Sequence, residues 1–267
     1  MTETPTTFRL DRPREGVVVL TLDRPERYNA MTATMFAELE SAARELDRED
    51  GLRVVVLTGA GKAFCAGYDL ADAEALPGLG ALGMLELQES AARALAAVRR
   101  IRVPVIAAVN GPAAGGGLAL ALAADIRIAG PGAVFNPAFV TIGLSAGDLG
   151  TSWLLPRLIG PAAAAEFAYT ARKMGADEAE RLGLVNRVVG EDELLDAALE
   201  TAAQICANSP GGVQMSKRAL QANMEIGSYA AALELENRGQ ALLTRSEDMV
   251  EALDAFRTRR APNFAGR

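Results

Sequence analysis

From Val17 to Val189 the hydrophobic pattern switches repeatedly between a run suited to a buried strand and a spacing suited to a helix. Val17-Val-Val-Leu-Thr-Leu22 is an uninterrupted, largely β-branched run, and Met31 to Leu46 then repeats apolar residues at helical spacing behind Thr32, a fitting N-cap. Arg53-Val-Val-Val-Leu-Thr58 predicts a second strand and Leu79 to Arg100 a second helix. Val103-Pro-Val-Ile-Ala-Ala-Val109 predicts a third strand, followed by the glycines of Gly111 to Gly117 and an Ala/Leu helix that ends before Asp125; Ile126 to Ala129 reads as another strand. Strands that alternate with helices predict an α/β fold with a parallel sheet covered by helices. After Val189 the pattern changes. Glu191 to Arg260 is almost wholly helical, punctuated by Ser209-Pro210-Gly211-Gly212, Gly227-Ser228 and Arg245-Ser246. This places a boundary near residue 200, with a core over 1–200 and a helical region over 201–267 whose amphipathic helices need a partner surface.

Composition narrows the chemistry. The 267 residues suit one main fold, and half of them are hydrophobic, as a packed core requires. A net charge of −7 opposes nucleic-acid binding, which needs a basic stripe against phosphates. Met1 to Gly16 carries Glu3, Asp11 and Glu15 without an apolar run, so the reading is a cytoplasmic protein rather than an exported one. The longest apolar stretch, Ala113 to Ala124, falls short of the roughly 20 residues of a membrane span. Cys65 and Cys206 form neither a disulfide framework nor a metal-ligand spacing. The chain has no histidine, which removes the commonest general base and the commonest metal ligand together.

Three motifs fail on inspection. Gly143-Leu-Ser-Ala-Gly147 has the form of a nucleophile elbow, but Ser145 has no histidine anywhere in the chain to take its proton. Gly59-Ala-Gly61 is followed by Phe64 where a dinucleotide fingerprint needs glycine, and Val56 stands where a P-loop needs its first glycine. Lys62 reads as an ordinary loop lysine.

Two glycine-rich loops carry more. Phe64-Cys-Ala-Gly-Tyr-Asp69 follows the second strand and Asn110-Gly-Pro-Ala-Ala-Gly-Gly-Gly117 the third, so both face one crevice at the carboxyl ends of neighbouring strands. Triple glycine before a helix permits close approach of another molecule and leaves free N–H groups at a positive helix end. A second N–H from the Tyr68 loop completes a two-donor oxyanion hole, suited to a thioester enolate or a tetrahedral intermediate.

With Asp23-Arg-Pro-Glu-Arg-Tyr-Asn-Ala30 and Ala176-Asp-Glu-Ala-Glu-Arg-Leu-Gly-Leu-Val-Asn186, these loops resemble, in order and spacing, the motifs of the crotonase (enoyl-CoA hydratase/isomerase) superfamily, over essentially the whole chain. The resemblance implies a ββα spiral, a C-terminal helical region that assembles trimers or hexamers, and an acyl-CoA thioester as ligand with no separate cofactor. By position it assigns the oxyanion donors to the backbone N–H groups of Tyr68 and Gly116. It assigns the CoA channel to Arg24, Arg27, Asn29, Ala30, Ala66, Asp69 and Leu70, with Gly115 at the acyl site. Phe256-Arg-Thr-Arg259 falls where the family meets CoA phosphates, a role that suits the fork of Arg259.

The chain departs from the hydratases of that family at their two glutamate positions, which align with Ala119 and Phe139. Neither side chain moves a proton, whereas a positioned acid or base contributes roughly 10²- to 10⁴-fold. Asp125 and Asp148 are the only carboxylates between Gly111 and Ala165. Asp125 reads as a cap between helix and strand. Asp148 falls close to where dienoyl-CoA isomerases and some dehalogenase-type members carry an active Asp, and it precedes a predicted helix over Thr151 to Leu158. Phe139 in place of glutamate predicts an apolar acyl pocket, and Tyr68 and Ser145 are further hydroxyls for it. The leading expectation is an isomerase- or lyase-type enzyme working through Asp148. The alternatives are an acyl-CoA-binding homologue without turnover and a hydratase with unconventional residues.

Overall fold

The computed structural model describes residues 5–267. The β-branched runs form the strands that the pattern predicts: β1 (Phe8–Arg14), β2 (Val17–Leu22), β3 (Val54–Gly59) and β4 (Val105–Val109). Between them lie α1 (Ala33–Arg48), the short α2 (Leu70–Ala73) and α3 (Gly80–Arg100). The chain continues through β5 (Ala113–Ala114), α4 (Gly116–Ala123), β6 (Ile126–Ala129), β7 (Val134–Asn136), α5 (Thr151–Ile159), α6 (Pro161–Thr170), β8 (Met174–Gly175), α7 (Ala176–Arg181) and β9 (Arg187–Val188). Four helices complete it: α8 (Leu194–Cys206), α9 (Pro210–Asn223), α10 (Tyr229–Leu243) and α11 (Glu247–Thr258).

The larger sheet has the order β1-β2-β3-β4-β6-β9 and the smaller one β5-β7-β8. Within the larger sheet every pair is parallel except β1 with β2. Strand β1 is an addition to the expected pattern. Phe8 is buried and Leu10 half-buried against the core, but the rest of the strand is exposed and mostly charged, so it carries no continuous apolar run; its ladder with β2 makes it a strand.

Period-2 alternation sorts the sheet into two apolar faces. Val18, Leu20, Leu22, Val55, Leu57, Val105 and Ala107 face the larger core with α1, α3 and α4. Val17, Val19, Val54, Val56, Ile106, Ala108 and Ile128 face the other way, onto Leu194, Ala198, Leu199 and Ala202 of α8. Residue 200 therefore lies within a helix that covers the sheet, and the covering layer runs on to Cys206. The helices beyond it reach the core through α9. Its buried Lys217 pairs with Asp125 at 2.7 Å and donates to the Val103 carbonyl at 2.9 Å, while Gln221, one turn on, donates to the other oxygen of Asp125 at 3.1 Å. Asp125 also accepts from Val105 N–H at 2.8 Å, so in place of the expected cap its side chain anchors α9 to the start of β4, and the carbonyls that end α4 are left to Arg127.

Helix α4 is buried along its full length, and both its ends have an evident electrostatic character. At its C-terminus the buried guanidinium of Arg127 donates to the carbonyls of Ala124 at 2.6 Å and Leu184 at 2.7 Å, and reaches that of Ala121 at 3.5 Å. A cation against the last carbonyls satisfies them and complements the negative end of the helix dipole. The opposite, positive end opens at Gly116. Among the described residues no helix is long and apolar enough to cross a membrane.

Candidate active site

The two glycine loops are joined backbone to backbone. Cys65 forms a parallel bridge with Ala113, and Ala114 N–H donates to the Cys65 carbonyl at 3.0 Å. Side chains are excluded here by space: a Cβ on Gly117 would lie 2.0 Å from the Cys65 carbonyl oxygen. A Cβ on Gly67, whose φ of +92° already favours glycine, would lie 2.7 Å from the Ala114 oxygen and 3.4 Å from the Gly116 nitrogen. The Tyr68 and Gly116 segments are thus immediate neighbours.

The orientation of the two donors follows from the bonds around them. Met31 bridges Tyr68 from one side: Met31 N–H donates to the Gly67 carbonyl at 2.7 Å and Asp69 N–H donates to the Met31 carbonyl at 2.8 Å. In extended chain successive N–H groups point in opposite directions, so the N–H of Tyr68 faces away from Met31. On the second loop Gly115, at φ +48°, donates to the Asn136 carbonyl and gives its own carbonyl to Ala119 N–H as the first bond of α4. Gly116 is then the first residue of the helix, where an N–H has no partner within the helix. Neither Tyr68 N–H nor Gly116 N–H has an acceptor among the described residues.

Both open onto a cavity of ≈ 290 Å³. Its walls are apolar: Met31 and Phe36 below, Leu76, Met84, Leu87 and Ala91 on the α3 side, and Phe139, Ile142, Leu144 and Leu149 opposite. Ala66, Tyr68, Leu70, Gly115 and Gly116 are part of the lining. The Tyr68 ring stacks on Phe36, centroids 6.2 Å apart and planes 9° from parallel, and burial raises its phenol so that it stays neutral. Ala119 lies wholly buried in α4 behind the glycines.

Asp148 is the one carboxylate in the lining. Burial raises its carboxyl above the ordinary range, opposed by a hydrogen bond that Gln88 Nε2 donates to Oδ1 and by the backbone at Leu149. Leu149 holds a left-handed φ of 47°, an unfavourable conformation for a side chain of its size, and its Cδ1 packs over Gly116. Gln88, Met84 and Leu87 join the site unannounced by any motif. The available signal was the helical spacing 84, 87, 88 and 91, which puts one polar residue into an apolar stripe. Ser145 does not join. It is exposed, accepts from Gly147 N–H at 3.0 Å and borders a separate cavity with Ser152 and Tyr169.

The first expected channel segment divides by role. Asn29, buried and at φ 55°, accepts from Arg24 N–H at 2.9 Å and donates to the Ala60 and Ala63 carbonyls at 2.9 and 2.8 Å, so its amide ties the loop together. Asp69 is buried beneath Arg24 and Arg27, at 3.1 and 2.7 Å, and caps α2 through Ala71 N–H. Arg24 also donates to the carbonyl of the buried Ala30. Arg27, half exposed, is the cation this cluster shows to solvent. The Arg27 guanidinium, foremost, holds the Asp69 carboxyl down to about 2. A carboxyl depressed on folding stabilises fully above its unfolded value, near 4, and loses that contribution as pH falls toward 2. The stability gap between the protein and Asp69→Asn is therefore expected to stay constant from pH 8 to 5 and to close below pH 4, as urea titrations at each pH would read. Phe256, 87% exposed, and Arg259, at the C-terminal cap of α11, lie outside this cavity within the one chain.

Residues 12–267 match the family described as enoyl-CoA hydratase/isomerase. A Mycobacterium tuberculosis protein named Probable enoyl-CoA hydratase EchA12 is 42% identical over 265 residues, covering 96% of this chain and 91% of that one. The 1,2-epoxyphenylacetyl-CoA isomerase of Escherichia coli K12 is 37% identical, covering 97% of this chain and 99% of that one. Among solved structures, an enoyl-CoA hydratase from Bacillus anthracis superposes with a TM-score of 0.93 at 33% identity, covering 98% and 100% of the two chains.

Proposed function

This chain belongs to the enoyl-CoA hydratase/isomerase family, and on that premise we propose that it isomerises, or eliminates from, an acyl-CoA thioester with an apolar acyl group, using Asp148 to move the proton. The observation that carries the reading is the meeting, in one apolar cavity, of two unengaged N–H donors with a single carboxylate. The thioester oxygen is taken up by Tyr68 N–H and Gly116 N–H at the positive end of α4, where developing negative charge is worth most in a water-poor site. That polarisation acidifies the carbon next to the carbonyl. Asp148 removes a proton from the acyl chain as the enolate forms; as the enolate collapses that proton goes to another carbon in isomerisation, or to the β-substituent in elimination, which leaves with the bonding pair of its C–X bond, so atoms and charge balance without an external reagent.

Hydration is disfavoured by the side chains at the family's glutamate positions. Ala119 is buried in α4, and Phe139 presents a ring to the cavity, so no acid–base pair faces a water across the double bond. The relatives bear both hydratase and isomerase names, and the isomerase-type reading rests on these two positions and on Asp148. Incubation with saturated, 2-enoyl, dienoyl and aryl CoA thioesters, read by chromatography and mass spectrometry, is expected to convert one acyl class, to a separable product of unchanged mass by isomerisation or to one lighter by the leaving group by elimination. Rapid gain of one water by a 2-enoyl thioester would overturn the reading.

CoA phosphates are assigned to Arg27 on this chain and to Arg259, which is free of ion pairs among the described residues, on a neighbouring copy. Tyr229 and Leu242 of α10 and Val250, Leu253 and Phe256 of α11 are exposed apolar residues that such an assembly would cover. Light scattering behind size exclusion is expected to give a trimer or a multiple of it; a monomer at micromolar concentration would remove Arg259 from the site.

A further inference from the structure

The polar contacts of Asp148 point to a second residue that the reaction needs. We propose that Gln88 is a positioning residue for Asp148, fixing the orientation of its carboxylate and holding it in the proton-accepting form within an apolar cavity. The inference rests on the function proposed for Asp148 and deepens it.

Geometry carries the argument. Gln88 lies on the stripe of α3 that lines the cavity, and its Nε2 donates to Asp148 Oδ1 from across the opening, 60 positions away in sequence. The donor and acceptor come from different elements, α3 and the loop before α5, so the bond also fixes the distance between them. With Oδ1 engaged, Oδ2 is left to the substrate. A neutral donor suits this position. An amide N–H stabilises the carboxylate without the full charge that a lysine would add, and it cannot surrender a proton to the base it orients.

Besides the backbone at Leu149, the described surroundings leave no other side chain to do this. Met84, Leu87 and Ala91 flank Gln88 on α3, and Leu144 and Leu149 flank Asp148 on its loop. From the Tyr68 loop the only titratable side chain in the cavity is Tyr68 itself, neutral as described. Glu86 and Glu89, the nearest charges along α3, lie outside the cavity lining, and Glu89 pairs with Arg93, which also reaches Glu40 of α1. Burial and the Gln88 hydrogen bond oppose one another at Asp148, so removal of the amide leaves burial unopposed by any side chain.

The test uses the full-length protein with ¹³C-labelled aspartate carboxyls, the Asp148 signal being identified by its loss in Asp148→Asn. In Gln88→Leu the Asp148 titration is expected to move up by about one pH unit, the worth of a hydrogen bond to a charged group. The acidic limb of the kcat profile for a turned-over acyl-CoA is expected to move with it, with KM changed less than threefold. Gln88→Glu, which sets a like charge beside Asp148, is expected to move both further in the same direction. A wall residue would change KM and leave both titrations in place, and that result would overturn the proposal. A carboxyl titration that moves while the kcat limb stays would locate the failure in the proton role of Asp148 and would take the catalytic part of the proposal with it. Either variant that melts far below the parent is replaced by Gln88→Met, read the same way.

Discussion

Asp148→Asn is expected to lower turnover of the acyl-CoA substrate by about 10²- to 10⁴-fold while its Kd for a CoA ester changes little. Asparagine has nearly the same shape, and its Oδ1 still accepts from Gln88 Nε2, so the cavity walls and the two backbone donors stay in place. What is lost is the only carboxylate in the lining. The same substitution is expected not to lower Tm. Burial raises the Asp148 carboxyl, so the folded protein binds that proton more tightly than the unfolded chain does. Above the ordinary carboxylate range the ion must be kept in an apolar wall, which costs folding free energy, and asparagine removes the cost. Activity down with stability unchanged or raised is the pattern of a residue retained for chemistry. Isothermal titration, steady-state kinetics and a thermal melt on one preparation check all three; turnover within threefold of the parent would remove Asp148 from the mechanism.

Lys217→Ala is expected to have the largest effect on stability, about 3–5 kcal/mol, because it strips the partner from a carboxylate in a partly enclosed position. Asp125 holds Lys217 at 2.7 Å while also accepting from Val105 N–H and from Gln221, so it ties the start of β4 to α9. Without the ammonium, the Val103 carbonyl loses its donor as well. For a chain of this size the loss corresponds to a fall in Tm of about 10 °C. Lys217→Met combined with Asp125→Asn, which removes both charges and keeps one acceptor oxygen for Val105 N–H, is expected to recover much of it. Calorimetry on the two variants separates the roles: equal losses in both would mean that the bonds made by the ammonium itself, rather than an uncompensated charge on Asp125, set the cost.

The parts of the fold that were legible are those whose signal is local. Val17–Leu22, Val54–Gly59 and Val105–Val109 are strands buried on both faces, and each is a continuous apolar run in the chain. Strand β1 was not legible, since only Phe8 and Leu10 of it face the core among charged residues, and the antiparallel ladder to β2 orders it. The two-residue strands β5, β8 and β9 are shorter than any period can show. The boundary near residue 200 reflects a change of pattern from alternating to helical. Packing divides the chain differently, because the apolar stripe of α8 completes the second face of the sheet.

At the site, the backbone part was legible because glycine is required where chains approach closely, as at Gly67 and Gly117, and favoured where φ is positive, as at Gly115. The side chains that join from α3 were not. Gln88 meets Asp148 only because α3 packs across α1 and over the Tyr68 loop, a tertiary fact with no short-range trace. Asn29 and Asp69 sit in the matching motif but act inside the loop, one tying carbonyls and the other holding Arg24 and Arg27. A motif position identifies which residue is needed there; burial decides whether it faces a ligand or its own backbone.

On the function proposed above, a thioester enolate forms between the Tyr68 and Gly116 N–H groups. The most direct measurement is exchange of acyl-chain protons for deuterium in D₂O, followed by NMR for each CoA thioester that the protein binds. The account predicts exchange at the carbon next to the thioester or at its vinylogue for one apolar acyl class, dependent on the protein and lost in Asp148→Asn. Tight binding with no exchange in any thioester would contradict it and would leave a protein that binds acyl-CoA without turning it over.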